Sequence, residues 1–217
     1  MANNQCLRLA ILISGSGSNL QALIDAIESK KLPDAEIALV VSSIPGAYGL
    51  QRALRHKLSA IYLPWKQRAE SEVKLAALLH LFQVDLIVLA GWMHILSASF
   101  LDQFPQRIIN IHPALLPDDG TGETYVTSYG ASIPVFRGLH AVQQALDAGV
   151  KVTGSTVHHV TPAVDAGPVI CREEVAIEPG DSEESLHERL KTVEHTLIVE
   201  AVRKFLARDK TPPMLAT

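Results

Sequence analysis

The chain has 217 residues, 47% of them apolar and 19% charged, a composition that can build a core and excludes wholesale disorder. Its 19 Lys and Arg stand against 23 Asp and Glu, and the net charge of −4 disfavours a dedicated nucleic-acid binder while leaving room for a small anion held by backbone amides. The longest apolar run, residues 86–93, is far short of the ~20 residues of a membrane helix, and the N-terminal apolar run makes a poor secretory signal. The two cysteines, Cys6 and Cys171, lie far apart, which excludes a disulfide scaffold and points to the cytoplasm.

Strand and helix signals alternate along the chain. Residues 9–14 form a short apolar run that ends in glycines, the mark of a buried strand. Leu20, Leu23, Ile24 and Ile27 then fall on one helical stripe, with Ser18 and Gln21 as a capping box. Residues 36–42 and 60–63 read as strands, Leu75, Leu78, Leu79 and Phe82 as a helix, and residues 85–90 and 107–112 as two further strands. Past a polar stretch, residues 139–148 make a helix that stops at Gly149. Residues 151–160 are β-rich and 167–175 can pair with them. A last helix carries Leu186, Leu190, Val193, Leu197 and Ala201, with Asp181 and Glu184 as its cap. Repeated strand–helix units predict an α/β fold, a mainly parallel twisted sheet with helices on both faces and an antiparallel element towards the C-terminal part. Ligands of such folds sit at the carboxyl ends of strands.

Three places carry chemistry. The loop from Ser14 to Asn19 (SGSGSN) lies between a strand and a helix, where glycines allow close approach and the first helical amides point at a ligand. It is either a phosphate site or a tight turn with a serine cap. No GK[ST] follows it, and the second strand ends in Ser42 and Ser43 rather than an acid, which disfavours a nicotinamide dinucleotide. In the strand that ends NIHP, Asn110 and His112 project to the same side, and an amide with an imidazolium suits an oxyanion. His158 and His159 are adjacent, so at most one can join His112, and no further ligand set completes a metal site. Asp165, on an Ala-Gly-Pro turn, would raise the His112 pKa if the two meet; otherwise it is a solvated turn residue.

In this order the pieces resemble the glycinamide ribonucleotide formyltransferase family over residues 9–206. The resemblance rests on ISGSGSNLQALIDAI, DLIVLAGWMHILS, NIHPALLP, GSTVHHVTPAVDAGPVI and GDSEESLHERLKTVEH. It implies a Rossmann-like formyltransferase fold in one domain, 1–207, with a frayed tail at 208–217. It also implies formyl transfer from 10-formyltetrahydrofolate, a co-substrate, to the amine of glycinamide ribonucleotide in purine synthesis. Asn110, His112 and Asp165 match the family's catalytic set, with His112 kept protonated by Asp165. Gly17, Ser18 and Asn19 would hold the ribonucleotide phosphate, and Lys191 and Glu194 its ribose and glycinamide end. Arg68, Met93, His94, Ile95, Leu96, Asn110 and Thr161 would line the folate site. The resemblance implies no metal, small-molecule partners only, neither nucleic acid nor membrane, and a monomer or homodimer.

Three features depart from that pattern. Ala114 stands where the family has serine, His94 stands where many members have arginine, and residues 118–134 (DDGTGETYVTSYGASIP) form an insert. The insert reads as a mobile surface loop; alternatively, Tyr125 or Tyr129 covers the cleft. Other functions on the same frame are a formyltetrahydrofolate hydrolase, which carries an extra N-terminal domain, and a methionyl-tRNA formyltransferase, with a further C-terminal domain and more positive charge. A binding module without catalysis would keep the phosphate loop and lose the Asn/His/Asp set.

Overall fold

The computed structural model describes residues 6–209. Its elements in chain order begin β1 (Leu7–Ile13), α1 (Ser18–Glu28), β2 (Ala35–Ser42), α2 (Tyr48–Arg55), β3 (Ala60–Tyr62), α3 (Arg68–Leu81), β4 (Leu86–Leu89), α4 (Ala98–Leu101) and β5 (Ile108–His112). They continue as β6 (Thr124–Val126), β7 (Ser132–Pro134), α5 (Ala141–Asp147), β8 (Val152–His159), β9 (Val169–Ala176) and α6 (Glu183–Asp209). One sheet of seven strands runs β3-β2-β1-β4-β5-β8-β9, parallel as far as β5 and antiparallel over β5–β8 and β8–β9.

Burial on both faces explains the continuous apolar runs of the central strands. On β1, Leu9, Ile11 and Ile13 pack with Leu20 and Leu23 of α1 and Leu197 and Ala201 of α6. The alternate residues Ala10 and Leu12 pack with Leu75 and Leu79 of α3 and Phe100 of α4. The strand period of two therefore assigns each residue of β1 to one helical layer or the other.

Several elements differ from expectation. The N-cap of α1 is Gly17, left-handed at φ 69°, and no side chain caps the helix, so Ser18 is the first helical residue and makes no capping box. Helix α2 has almost no apolar stripe, because it buries only Gly49 and Ala53. It presses on the loop after β1 so closely that a Cβ on Gly17 would stand 2.6 Å from the Gly49 Cα. The cap of α6 is Ser182 with Ser185, each backbone amide donating to the other's hydroxyl, while Asp181 binds Arg189. Arg208 and Asp209 continue α6, and the rest of the expected tail lies outside the described residues.

Within the insert, β6 and β7 pair as an antiparallel hairpin, its turn closed by the Thr127 amide donating to the Ala131 carbonyl at 2.8 Å. The hairpin is fixed to β9 by polar contacts. The Tyr125 hydroxyl donates to Glu174 at 3.0 Å, the Ser128 amide and hydroxyl donate to the same carboxylate at 2.7 Å, and Arg172 pairs with Asp118 at 2.6 Å. A segment held by side-chain hydrogen bonds needs no apolar stripe, which is why its composition resembles that of a free loop.

Candidate active site

The strand order reverses at β1 and β4, the switch point where sheets of this kind open a crevice beyond their strand ends. A cavity of about 380 Å³ lies there. Asn19 of α1, the segment after β4, Asn110 and His112 of β5, His158 of β8 and the turn carrying Asp165 all line it.

Asn110 and His112 emerge on the same side of β5, as the strand period requires, and the antiparallel return of β8 sets His158 directly opposite Asn110. Asn110 Nδ2 donates to His158 Nε2 at 3.2 Å and to Asp165 Oδ1 at 3.3 Å. Asp165 Oδ2 lies 3.4 Å from His112 Nδ1 and accepts from the Gly138 amide at 2.9 Å. His112 Nε2 donates to the Phe136 carbonyl at 2.8 Å. Asp165 is itself left-handed at φ 47°, a conformation that costs a residue with a Cβ about 1 kcal/mol or more and that aspartate tolerates better than most.

Burial works against the Asp165 charge, but the neighbouring His158 and His112 rings and the Gly138 amide outweigh it and bring the carboxyl to about 2. His112 moves against expectation. Both its ring nitrogens face acceptors, which suits an imidazolium, and Asp165 and Phe136 pull its pKa up. Burial is the larger influence, aided by the nearby His158 and Arg137, and the pKa falls below the ordinary 6.5. Burial thus favours the neutral ring, against the cation expected from Asp165 alone.

At the far end of the cavity Asn19 Nδ2 donates to Glu194 Oε2 at 2.9 Å, and both side chains are buried. Asn19 Oδ1 has no hydrogen-bond partner, nor has Trp92 Nε1, another buried polar atom on a lining residue. Gly17 and Ser18 precede Asn19 at the start of α1. Its first intrahelical bond runs from the Gln21 amide to the Gly17 carbonyl, and its first turn holds no acid. The amides before Gln21 thus open at an uncapped, positive helix end. Met93, His94, Ile95, Leu96 and Thr161 line the cavity, and Met93, Ile95, Leu139 and Val164 leave large exposed apolar surfaces at its mouth. His94 is stacked on Trp65 with ring centroids 5.3 Å apart, and burial lowers its pKa.

Four expected residues, Gly17, Ser18, Arg68 and Lys191, are not part of this lining. Arg68 is exposed at the first turn of α3, and Lys191 pairs with Glu188. Tyr125 is turned to β9 and Tyr129 is 86% exposed, so neither covers the cavity. Sequence reasoning overlooked His187, which lines the cavity from α6, and considered His158 only as a metal ligand. Alternation along β8 was the signal for His158, since it separates that residue from His159. Among the described residues no group of three or more His, Cys, Asp or Glu is arranged to hold a metal ion, and no helix is long and apolar enough to cross a membrane.

Residues 7–202 match the family described as formyl transferase. The phosphoribosylglycinamide formyltransferase of Escherichia coli is 35% identical over 194 residues, covering 88% of this chain and 83% of that protein. The trifunctional purine biosynthetic protein adenosine-3 of Drosophila melanogaster is 42% identical over 199 residues, 90% of this chain but only 14% of that much longer protein. Among solved structures, glycinamide ribonucleotide transformylase 1 from Symbiobacterium toebii superposes with a TM-score of 0.82 at 39% identity, covering 94% of this chain and 88% of that one.

Proposed function

The chain belongs to the formyl transferase family, and from that premise we propose that it transfers a formyl group from 10-formyltetrahydrofolate to the amine of glycinamide ribonucleotide. The observation that carries this reading is the convergence of Asn110, His112 and Asp165 on one wall of a cavity whose other end holds Asn19 and Glu194.

The residues present fit both substrates. The uncapped start of α1 suits a phosphate on the amides around Gly17, Ser18 and Asn19. Glu194 and the unpartnered Asn19 Oδ1 are buried acceptors for hydroxyl or amine donors, and a bound donor removes the cost of leaving Asn19 unsatisfied. The apolar mouth formed by Met93, Ile95 and Val164 suits a flat heteroaromatic ring. Arg68 and Lys191 are not part of the cavity lining and would serve only the outer parts of a ligand.

When bound, 10-formyltetrahydrofolate supplies the formyl carbon that the amine attacks. The two hydrogen bonds of Asn110 Nδ2 are long for N–H donors, so one of them is readily exchanged for the developing acyl oxyanion. His112 begins neutral, with Nε2–H committed to the Phe136 carbonyl and Nδ1 facing Asp165. Negative charge appearing beside the ring offsets the burial that kept it neutral. Nδ1 then takes up the amine proton with Asp165 as counter-ion, and the imidazolium returns it to the departing nitrogen. Cys6 and Cys171 are free thiols, which supports a reducing, cytoplasmic setting for this activity.

The test mixes the protein with both substrates and follows tetrahydrofolate release by absorbance, with and without the ribonucleotide. Release that depends on the ribonucleotide and disappears in His112→Ala is the expected result. Release without the ribonucleotide would replace this reading with that of a hydrolase.

A further inference from the structure

Three contacts at the catalytic wall come from a single tripeptide that leaves the inserted hairpin. The Phe136 carbonyl accepts from His112, the Gly138 amide donates to the Asp165 carboxylate, and between them Arg137 Nε donates to the Asp165 backbone carbonyl at 3.1 Å. The same guanidinium reaches back into the base of the insert, where Nη2 donates to the carbonyls of Gly120 and Gly122, both at 2.8 Å. The base also touches the turn directly. A Cβ on Gly120 would stand 2.3 Å from the Gly167 carbonyl oxygen, and the Val169 amide donates to the Asp118 carbonyl at 3.0 Å.

We propose that Arg137 is a positioning residue for the formyl-transfer reaction, and that the insert 118–134 is the anchorage from which it holds the Asp165 turn against His112. This rests on the activity proposed above. Asp165 sits in a left-handed conformation that its own sequence does not enforce, so an external hold on its carbonyl is what keeps the carboxylate aimed at Nδ1. A guanidinium suits the task, because its rigid fork donates in several fixed directions at once. The hairpin tip has no part in it: Tyr129 lies 86% exposed, beyond the polar contacts to β9.

The test is Arg137→Lys in the full chain. Lysine keeps the charge but cannot donate to three carbonyls in two directions. The expected result is a kcat lower by roughly 10- to 100-fold, the loss typical of a catalytic group misplaced by about 1 Å, with both KM values within twofold of wild type. The His112 titration, followed by imidazole NMR without substrates, moves to lower pH as Asp165 withdraws. Tyr129→Ala leaves kcat and titration unchanged. Wild-type kcat with an unmoved titration in Arg137→Lys overturns the proposal, as does a loss confined to KM or an equal loss in Tyr129→Ala. Because the titration is read without substrates, absence of formyl transfer by the wild-type protein would refute the proposed activity while leaving the positioning role to be judged by NMR.

Discussion

Replacing Asp165 by asparagine keeps the shape of the side chain and removes its charge, and the contacts around it set the size of the response. The carboxyl is held at about 2 against an ordinary 3.8, and at ~1.4 kcal/mol per pH unit the difference is worth about 2 kcal/mol of stability at neutral pH. The side chain is 10% exposed, so solvent screens this little. A depressed carboxyl contributes fully above its unfolded pKa and loses that contribution as pH falls through the folded one. The gap between wild type and Asp165→Asn therefore closes between pH 3.8 and about 2. His112 adds a second, earlier effect. Its folded pKa already lies below 6.5, and without Asp165 it sinks further, so acidification below pH 6.5 costs the variant more and the gap first widens. Urea unfolding from pH 7 downward should show this rise and fall. In turnover, loss of the counter-ion for His112 should lower kcat by ~10²–10³-fold with little change in either KM. A stability gap that is constant across the pH range, or an unchanged kcat, would refute the coupling of Asp165 to His112.

Two further substitutions test the outer parts of the site. Gly17→Ala forces a Cβ onto a residue at φ 69° and to 2.6 Å from the Gly49 Cα, so α2 must shift from the loop; about 2 kcal/mol of stability should be lost on thermal unfolding. The KM for the ribonucleotide should rise at least ~10-fold, a loss of about 1.4 kcal/mol in phosphate binding, while that for the folate stays within twofold; equal KM values for wild type and variant would remove the phosphate from this loop. Tyr125→Phe deletes the hydroxyl that donates to Glu174 and should cost about 1 kcal/mol with kcat unaltered, because the ring faces β9. A fall in kcat without a fall in stability would put Tyr125 back over the cavity.

How much of this was legible in the sequence depended on whether the signal was local. The strand–glycine loop–helix unit and the shared side of Asn110 and His112 follow from periods of two and 3.6, which any short window displays. Its Ala-Gly-Pro turn marks Asp165 as a candidate, but only the antiparallel return of β8 and the left-handed turn at Asp165 bring it to His112, and neither has a local pattern. Helix α2 escaped notice because it buries glycine and alanine against a loop, so close packing leaves no apolar stripe to count. The hairpin escaped for a related reason. Its strands are three residues each, and Glu174, Arg172 and Arg137 hold it from outside its own segment.

The charge of His112 shows where sequence reasoning reverses sign. A neighbouring carboxylate predicts a raised pKa, and the carboxylate is indeed there, but its influence competes with a desolvation that only the packed fold determines. The same packing gives the neutral ring a use. An imidazole that was already a cation could not accept the amine proton, whereas one held neutral by burial, with acceptors at both nitrogens, gains affinity for a proton as negative charge forms beside it. On the proposed mechanism, the wall that lowers the pKa in the free protein would raise it during the reaction. That response requires the Asp165 turn to stay in place, and the contacts of Arg137 with Gly120, Gly122 and the Asp165 carbonyl are suited to keep it there.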